Sequence, residues 1–384
     1  MEFAEPAEHR ALRETVRAVA SRFGGAHYAE HARQSAPQEE LWRELGKLGF
    51  IGINVPSEHG GGGGGLVELA AVAEETAAAG APLLLLLVSS AISVEVLARY
   101  GTVEQRAEWL PRMATGEAKV VFAITEPDAG SNSHRIATTA TLEGDTYVLR
   151  GTKYYITGVD EAEALIVVAR TGVEEASGQA KLSLFLVDAD APGMRRSAIE
   201  VDAMLPETQF ELFFDEVHVP ADRLIGEQDG GFAQVFHGLN PERITGAALG
   251  VGVGRYALER AADYARVRQV WGQPIGAHQA VAHPLAKAKV EVELAALMTA
   301  KAAWLHDQGL PAGEASNMAK YAAAEAALAA VEAAIQTHGG NGLSSDYGLV
   351  PLWSMARLMR IAPISREMIL NYVAQHSLGL PRSY

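Results

Sequence analysis

The spacing of hydrophobic and polar positions changes character twice along the chain. Near the N-terminus, Leu12, Val16, Val19 and Phe23 recur on one helical stripe, which predicts an amphipathic helix over residues 7–35. Further apolar stretches of helical length end at glycine or proline. They predict helices at 39–48, 66–79, 83–100 and 105–116. The first third of the chain is therefore expected to be helical.

From about Lys119 to Leu224, short runs rich in Val, Thr, Tyr and Phe replace the helical period, and Gly, Asp and Pro separate them. Such runs, with no helices between them, are typical of antiparallel strands in a sandwich or barrel. The predicted strands are 138–141, 147–149, 165–169, 182–187 and 210–214.

After Gly230 and Gly231 the helical period returns and persists. It predicts long helices at 232–268, 278–308, 312–338 and 345–376. The complete pattern predicts an α+β fold in three parts. These are an N-terminal helical domain (1–118), a central antiparallel β-sandwich or barrel domain (119–227) and a C-terminal four-helix-bundle domain (228–384).

Composition restricts the class of function. The net charge of −15 disfavours non-specific binding to nucleic acid. The chain has 0 cysteines, which excludes disulfides, thiolate metal sites and a cysteine nucleophile, and no other metal site is predicted. Residues 1–11 have neither a long apolar run nor an arginine-rich pattern, and the apolar run 82–88 is too short to span a bilayer. A cytoplasmic location without membrane attachment is therefore expected.

Gly250, Gly252 and Gly254 alternate with valines and could suggest a dinucleotide-binding fingerprint. The third glycine is not at the required spacing, and the run lies inside a helical pattern instead of following a strand. We interpret these small residues as contacts for close helix packing.

A β-rich run, 120–124, leads into the loop 125–132, Thr-Glu-Pro-Asp-Ala-Gly-Ser-Asn. Pro127 restricts φ, whereas Gly130 permits a positive φ, so the loop is expected to be rigid and rich in turns. Its backbone N–H groups and the hydroxyls of Thr125 and Ser131 suit a polar ligand such as a flavin ring or a phosphate. A well-capped surface turn would have the same composition, so the residues alone leave both interpretations open.

Four segments occur in an order that resembles the acyl-CoA dehydrogenases, and the resemblance covers nearly the whole chain. They are 122–132, 151–158, 268–279 and 336–342. The resemblance implies the three-part fold, FAD as cofactor, and an oligomer, by resemblance a homotetramer, in which a neighbouring subunit contacts part of the FAD. Tyr155 replaces a frequent Trp and Trp271 a usual Phe. The positions that the resemblance assigns to the cofactor are Phe122, Ile124, Thr125, Gly130, Ser131, Tyr155, Thr157, Arg268, Trp271, Gln279, Gln336, Gly339, Gly340, Ser365 and Glu367.

The chain departs from the family at the usual catalytic base. Pro363 occupies that position, and proline also lacks the backbone N–H that the family uses near the thioester oxygen. Glu242 precedes Arg243 in the way that the base does in isovaleryl-CoA and long-chain members, so we assign the base to Glu242. The plain alternative is an acidic residue that a helix's first turn favours after Pro241. Ser131, Asn240 and Arg243 are assigned to substrate binding.

The resemblance implies α,β-dehydrogenation of an acyl-CoA to the 2,3-enoyl-CoA, with electrons passed to an electron-transfer flavoprotein. Two departures from the family keep alternatives open. They are Pro363 and the Ser-Met-Ala at 354–356, where Arg-Asp-Ala is frequent. These are a flavin-dependent oxidase or monooxygenase, or an acyl-carrier-protein dehydrogenase, on the same scaffold. A non-catalytic binding protein would fit only if FAD did not bind.

Overall fold

A computed structural model describes residues 4–175 and 178–382, so the first three residues of the segment 1–11 lie outside the described part. The N-terminal part is helical, as predicted. The helices are α1 (Ala7–Ser21), α2 (Gly24–Gln34), α3 (Glu39–Lys47), α4 (Leu66–Ala78), α5 (Val94–Tyr100) and α6 (Val103–Ala114). The prediction of one helix over 7–35 is wrong, because the chain turns at Gly24, whose φ of 68° is favourable for glycine but ends a regular helix.

The predicted helix 83–100 is also divided. Its first part, Leu86–Ser93, is a π-helical segment, and the regular helix α5 begins at Val94. Nearly all of Leu86–Ser93 is buried. Single π-helical turns inside helices often mark functional sites, because they shift side chains out of the α-helical register.

The central part forms a sheet of eight strands, namely β1 (Val120–Ala123), β2 (Thr139–Glu143), β3 (Thr146–Thr157), β4 (Ala164–Val173), β5 (Ala180–Asp188), β6 (Met194–Ile199), β7 (Gln209–Pro220) and β8 (Leu224–Ile225). The order along the sheet is β6-β7-β3-β2-β4-β5-β8, with β1 beside β4. Most pairs are antiparallel, as predicted, but β1 runs parallel to β4. This parallel pair brings the end of β1, and the loop that follows it, into the middle of the sheet.

The C-terminal part contains three long helices, α7 (Gly231–Val267), α8 (Gln279–Asp307) and α9 (Gly313–His338), and the short hairpin strands β9 (Gln269–Val270) and β10 (Gln273–Pro274) lie between α7 and α8. The prediction of one helix over 345–376 is wrong. The structure has α10 (Leu349–Leu358), α11 (Arg366–Tyr372) and a loop between them. Pro363 lies in that loop, and a proline in a helix interior removes a hydrogen bond and clashes with the preceding turn. The domain boundaries after residues 118 and 227 stay predictions.

The glycines in α7 have the packing role that the sequence suggested. A Cβ on Gly252 would lie 2.2 Å from the carbonyl oxygen of Glu74, and one on Gly254 would lie 2.7 Å from a methyl group of Val292. Only glycine therefore allows α7 to approach α4 and α8 this closely. Arg255, one residue further along, forms an ion pair with Glu293 on α8 at 2.9 Å and another with Glu74 on α4.

No helix within the described ranges is both long enough and apolar enough to cross a membrane.

Candidate active site

A buried ion pair holds the loop after β1 in place. Lys153 is fully buried on β3, and its ammonium group donates to the Glu126 carboxylate at 2.8 Å and to the Ile124 carbonyl at 3.0 Å. The same carboxylate accepts from the backbone N–H groups of Ala137 at 2.6 Å and Thr138 at 3.0 Å. Burial lowers the pKa of Lys153 to about 8, whereas Glu126 acts to raise it. The loop is thus fixed from its buried side.

Segments 122–132 and 151–158, the first two that resemble the family, lie next to each other in the structure. The backbone N–H of Tyr154 donates to the carbonyl of Thr125 at 2.8 Å. Next to it, Tyr155 lies at a bulge of β3 with a φ of 55°, and its side chain is 52% exposed. The hydroxyl of Thr157 donates to the side chain of Gln209 on β7 at 2.9 Å.

The outer side of the loop is open to a ligand. Phe122 is buried beneath it, Ile124 and Thr125 are partly buried, and Gly130 and Ser131 are exposed. A Cβ added to Gly130 would meet nothing within 4 Å. An exposed aromatic ring, hydroxyls and backbone donors on a rigid base therefore face solvent on one surface.

Glu242 lies on α7 and is 9% exposed. Burial raises the pKa of its carboxyl to about 8, although Arg243 and Lys320 act to lower it. Its carboxylate accepts no side-chain hydrogen bond from the described residues. A carboxyl group held in this way exchanges a proton readily near neutral pH, which is what a general base requires.

The structure brings the two predicted substrate residues on α7 together. The guanidinium of Arg243 donates to the side-chain oxygen of Asn240 at 3.1 Å. Burial lowers the pKa of Arg243, whereas Glu242 and Tyr372 act to raise it. Pro241 and Glu242 are inside α7, ten and eleven residues after its first residue. The alternative interpretation of Glu242 as a first-turn acid is therefore wrong.

The loop that carries Pro363 packs beside this group. The Lys320 ammonium on α9 donates to the carbonyl oxygen of Ile364. The hydroxyl of Ser365 accepts from the N–H of Met368 at 3.3 Å and so caps α11, while the side chain of Glu367 is 72% exposed. Ser365 therefore has a structural role here, whichever ligand it faces.

The remaining predicted cofactor residues lie at the other end of the bundle. The ring of Tyr264, near the end of α7, stacks on His338 at the end of α9 with centroids 4.3 Å apart. This contact brings the loop after α7 near the turn after α9. The loop carries Arg268 and Trp271, Gln279 begins α8 directly after it, and the end of α9 with its turn carries Gln336, Gly339 and Gly340.

Glu242 lies far from the predicted cofactor residues at this end of the bundle. Glu242 and Arg268 are separated by 26 positions along α7, or about 39 Å at about 1.5 Å per residue. Trp271 is 89% exposed, in a hairpin turn where both it and Gly272 have positive φ. We refer to the predicted cofactor residues near the loop after β1 and to those at the far end of the bundle as the two half-sites.

The residues at both ends fit FAD. At the far end, Arg268 forms no ion pair with any described residue, and a Cβ on Gly339 or Gly340 would meet nothing within 4 Å. A free guanidinium suits a pyrophosphate, an exposed indole offers a face for an aromatic base, and the two glycines leave room for a ligand. At the near end, the loop after β1 offers the donors that a flavin ring requires.

Sequence reasoning missed three residues that hold the site together, namely Glu126, Lys153 and Lys320. Each stood inside a segment that had been interpreted for other reasons. The sequence did contain a signal for both lysines. Lys153 occupies an inward position of a strand and Lys320 lies in an alanine-rich buried helix, and a buried lysine rarely lacks a partner.

Comparison with known proteins gives matches along nearly the whole chain. The family described as "Acyl-CoA dehydrogenase" matches the chain with its N-terminal domain over residues 6–117, its middle domain over 121–217 and its C-terminal domain over 229–378. The acyl-CoA dehydrogenase FadE12 of Mycobacterium tuberculosis is 54% identical, over 100% of this chain and 99% of that protein.

Two solved structures have the same fold. Butyryl-CoA dehydrogenase from Megasphaera elsdenii superposes with a TM-score of 0.92 at 26% identity, over 98% of this chain and 100% of that chain. The FAD complex of PigA superposes with a TM-score of 0.92 at 27% identity, over 99% of this chain and 100% of that chain.

Proposed function

The chain belongs to the acyl-CoA dehydrogenase family of FAD-dependent oxidoreductases that act on CH–CH bonds, and we propose that it converts an acyl-CoA to the 2,3-enoyl-CoA with Glu242 as the base. The observation that supports this assignment is the buried carboxyl of Glu242, with a pKa raised to about 8, beside the loop that carries Pro363. The sequence offers no carboxylate at the family's usual position.

In the proposed reaction, the Glu242 carboxylate takes the α-proton of the thioester. The chemistry that bound FAD supplies is acceptance of a hydride from the β-carbon. Arg243 and Lys320 stabilise the carboxylate form of Glu242, and Asn240 orients Arg243 through the 3.1 Å hydrogen bond. Ser131 is assigned to the CoA arm, and its exposure on the loop after β1 supports this assignment.

The first experiment is an anaerobic titration of the purified flavoprotein with straight and branched acyl-CoAs, followed by flavin absorbance. Bleaching by one class would support dehydrogenation and define the substrate. Transfer of the electrons to an electron-transfer flavoprotein is part of the proposal, and reduction of that partner protein by the bleached enzyme would test it.

A second candidate function is favoured by Pro363. Because proline has no N–H, the thioester oxygen loses one donor, which typically contributes about 3 kcal/mol to transition-state stabilisation. An oxidase or monooxygenase of the same scaffold would not need that donor. No bleaching by any thioester, together with rapid reoxidation of chemically reduced enzyme by oxygen, would select this alternative. Bleaching by acyl carrier protein thioesters alone would instead identify the carrier.

The pH dependence of flavin reduction follows from the pKa of Glu242. Only the carboxylate accepts a proton, so the rate is expected to increase about tenfold per pH unit below pH 8 and to level off above it. Stopped-flow reduction between pH 6 and 10 at saturating acyl-CoA measures this profile. A rate independent of pH across that range would contradict the assignment of Glu242.

We also propose that the protein is a homotetramer in which a partner subunit completes each FAD site. The apolar stripe on α8 supports this, because Val290, Leu294, Leu297 and Trp304 are all more than half exposed and share one face. The separation of about 39 Å along α7 between Glu242, the proposed base, and Arg268 supports it as well.

Replacing Leu294 with glutamate is expected to dissociate the assembly and to release FAD, because a charge would be buried in an apolar interface. Analytical ultracentrifugation and the flavin content after gel filtration measure both effects. The matched control is Lys47→Glu, a change at an exposed position of α3, away from the apolar stripe of α8. A monomeric wild type that retains FAD would contradict the proposal.

We keep a cytoplasmic location as a proposal, which cell fractionation would test.

A further inference from the structure

Lys320 is an unusual residue for its position. It lies on α9 with only 2% of its surface exposed, in a helix whose neighbouring positions are mostly alanine. Lysine is almost never fully buried without a partner. Here the partner of the ammonium group is a backbone carbonyl, that of Ile364, and no carboxylate of the described residues lies within ion-pair distance.

Several charged groups surround this lysine. Glu242 and Arg243 act on it from α7, Glu325 acts from its own helix, and Glu367 acts from α11. Tyr372 of α11 in turn acts on Arg243. Burial lowers the pKa of Lys320 to about 8, and Glu242 is the largest influence that raises it. The lysine and the proposed base therefore stabilise each other's charged forms.

The hydrogen bond to Ile364 connects the lysine to the loop that carries Pro363. The loop from Met359 to Ser365 contains Pro363, so it has one backbone donor fewer than another residue would give it. The backbone closes the loop through the N–H of Arg366, which donates to the Arg360 carbonyl at 3.1 Å. Within this loop, the Ile364 carbonyl accepts a hydrogen bond from the ammonium group of Lys320.

We propose that Lys320 is a positioning residue for the reaction at Glu242: it holds the Pro363 loop against α9 through the Ile364 carbonyl and provides a positive charge that favours the carboxylate form of Glu242. This inference rests on the proposed function only for its catalytic consequence. The two physical effects, on the ionisation of Glu242 and on the loop, exist in the resting protein.

The first test therefore needs no substrate. Infrared difference spectra between the holoprotein and its Glu242→Gln variant, recorded from pH 5 to 10, follow the protonated carboxyl of Glu242. In Lys320→Met the midpoint of this titration is expected to increase by about one pH unit or more, because an opposite charge nearby has been removed. Lys320→Arg keeps the charge and is expected to restore the midpoint.

The matched control is Lys119→Met. Lys119 is also buried, but it pairs with Glu39 at 2.6 Å and Glu161 at 2.7 Å and has no influence on Glu242. This variant is expected to lose thermal stability and to leave the titration of Glu242 unchanged. A variant that merely disturbs folding would thus be distinguished from one that changes the base.

The second test is amide hydrogen exchange in the loop. The amides of Ile361, Ala362 and Arg366 are expected to exchange at least tenfold faster in Lys320→Met, and those of α7 to remain unchanged. If the Glu242 midpoint and the loop exchange rates were both unchanged in Lys320→Met, the inference would be wrong. A wild type that no thioester reduces would instead overturn the proposed function, and both tests of Lys320 would stand.

Discussion

Glutamine in place of Glu242 is expected to reduce the rate of flavin reduction by an acyl-CoA about 10³-fold and to leave FAD bound. Proton transfer by a positioned side chain typically contributes between about 10² and 10⁴ in rate, and glutamine cannot accept the α-proton. The two side chains have nearly the same size, and no side-chain hydrogen bond of Glu242 to a described residue would be lost. The measurement is single-turnover stopped-flow reduction under anaerobic conditions.

Two further variants test whether the loss of rate is specific to the carboxyl group of Glu242. Glu259→Gln changes an exposed glutamate on the same helix and is expected to reduce the flavin at the wild-type rate. Glu242→Asp keeps the carboxyl but withdraws it by one methylene, so an intermediate rate is expected. A Glu242→Gln enzyme with normal rates would exclude this residue as the base.

Methionine in place of Lys153 is expected to destabilise the protein by about 3–5 kcal/mol and to weaken FAD binding at least tenfold. Removing one partner of a buried ion pair leaves the other charge uncompensated, and such changes typically cost this much. The Glu126 carboxylate would keep its two backbone donors, but Ile124 and the loop would lose the ammonium that joins them to β3. Chemical denaturation and titration of the apoprotein with FAD measure the two effects.

The control on the same sheet is Lys181→Met. Lys181 is 45% exposed and lies 3.9 Å from Asp229, so its removal is expected to cost less than about 1 kcal/mol. The double variant Glu126→Gln with Lys153→Met should recover part of the lost stability, because no buried charge remains unpaired. If Lys153→Met had wild-type stability and FAD affinity, the ion pair would not be what holds the loop.

Elements with a clear period were predicted well, and breaks inside them were not. The predicted helix 312–338 differs from α9 by one residue at its start, because its apolar pattern and its glycine end are both local. The breaks at Gly24 and around Pro363 were missed, since a long apolar pattern outweighed a single glycine or proline. The parallel pairing of β1 with β4 joins residues 44 positions apart, such as Val120 and Ala164, and no local pattern indicates it.

The candidate site shows the same difference between local patterns, which the sequence reveals, and contacts between distant segments, which it does not. The residues predicted to face a ligand came from collinear segments, but the residues that support those segments were not predicted. Glu126 and Lys153 are 27 residues apart, and Lys320 and Ile364 are 44 apart, so only the folded chain brings each pair together.

By itself, the sequence determined the three-part architecture, the family and the cofactor, because these depend on hydrophobic period and on short segments whose order can be read directly. The tertiary structure decided that Glu242 lies buried inside α7, that Lys153 and Lys320 support the site, and that Glu242 lies about 39 Å from Arg268 along α7. These features depend on burial and on contacts between distant segments. Such contacts set pKa values and distances, and they exist only after the chain has folded.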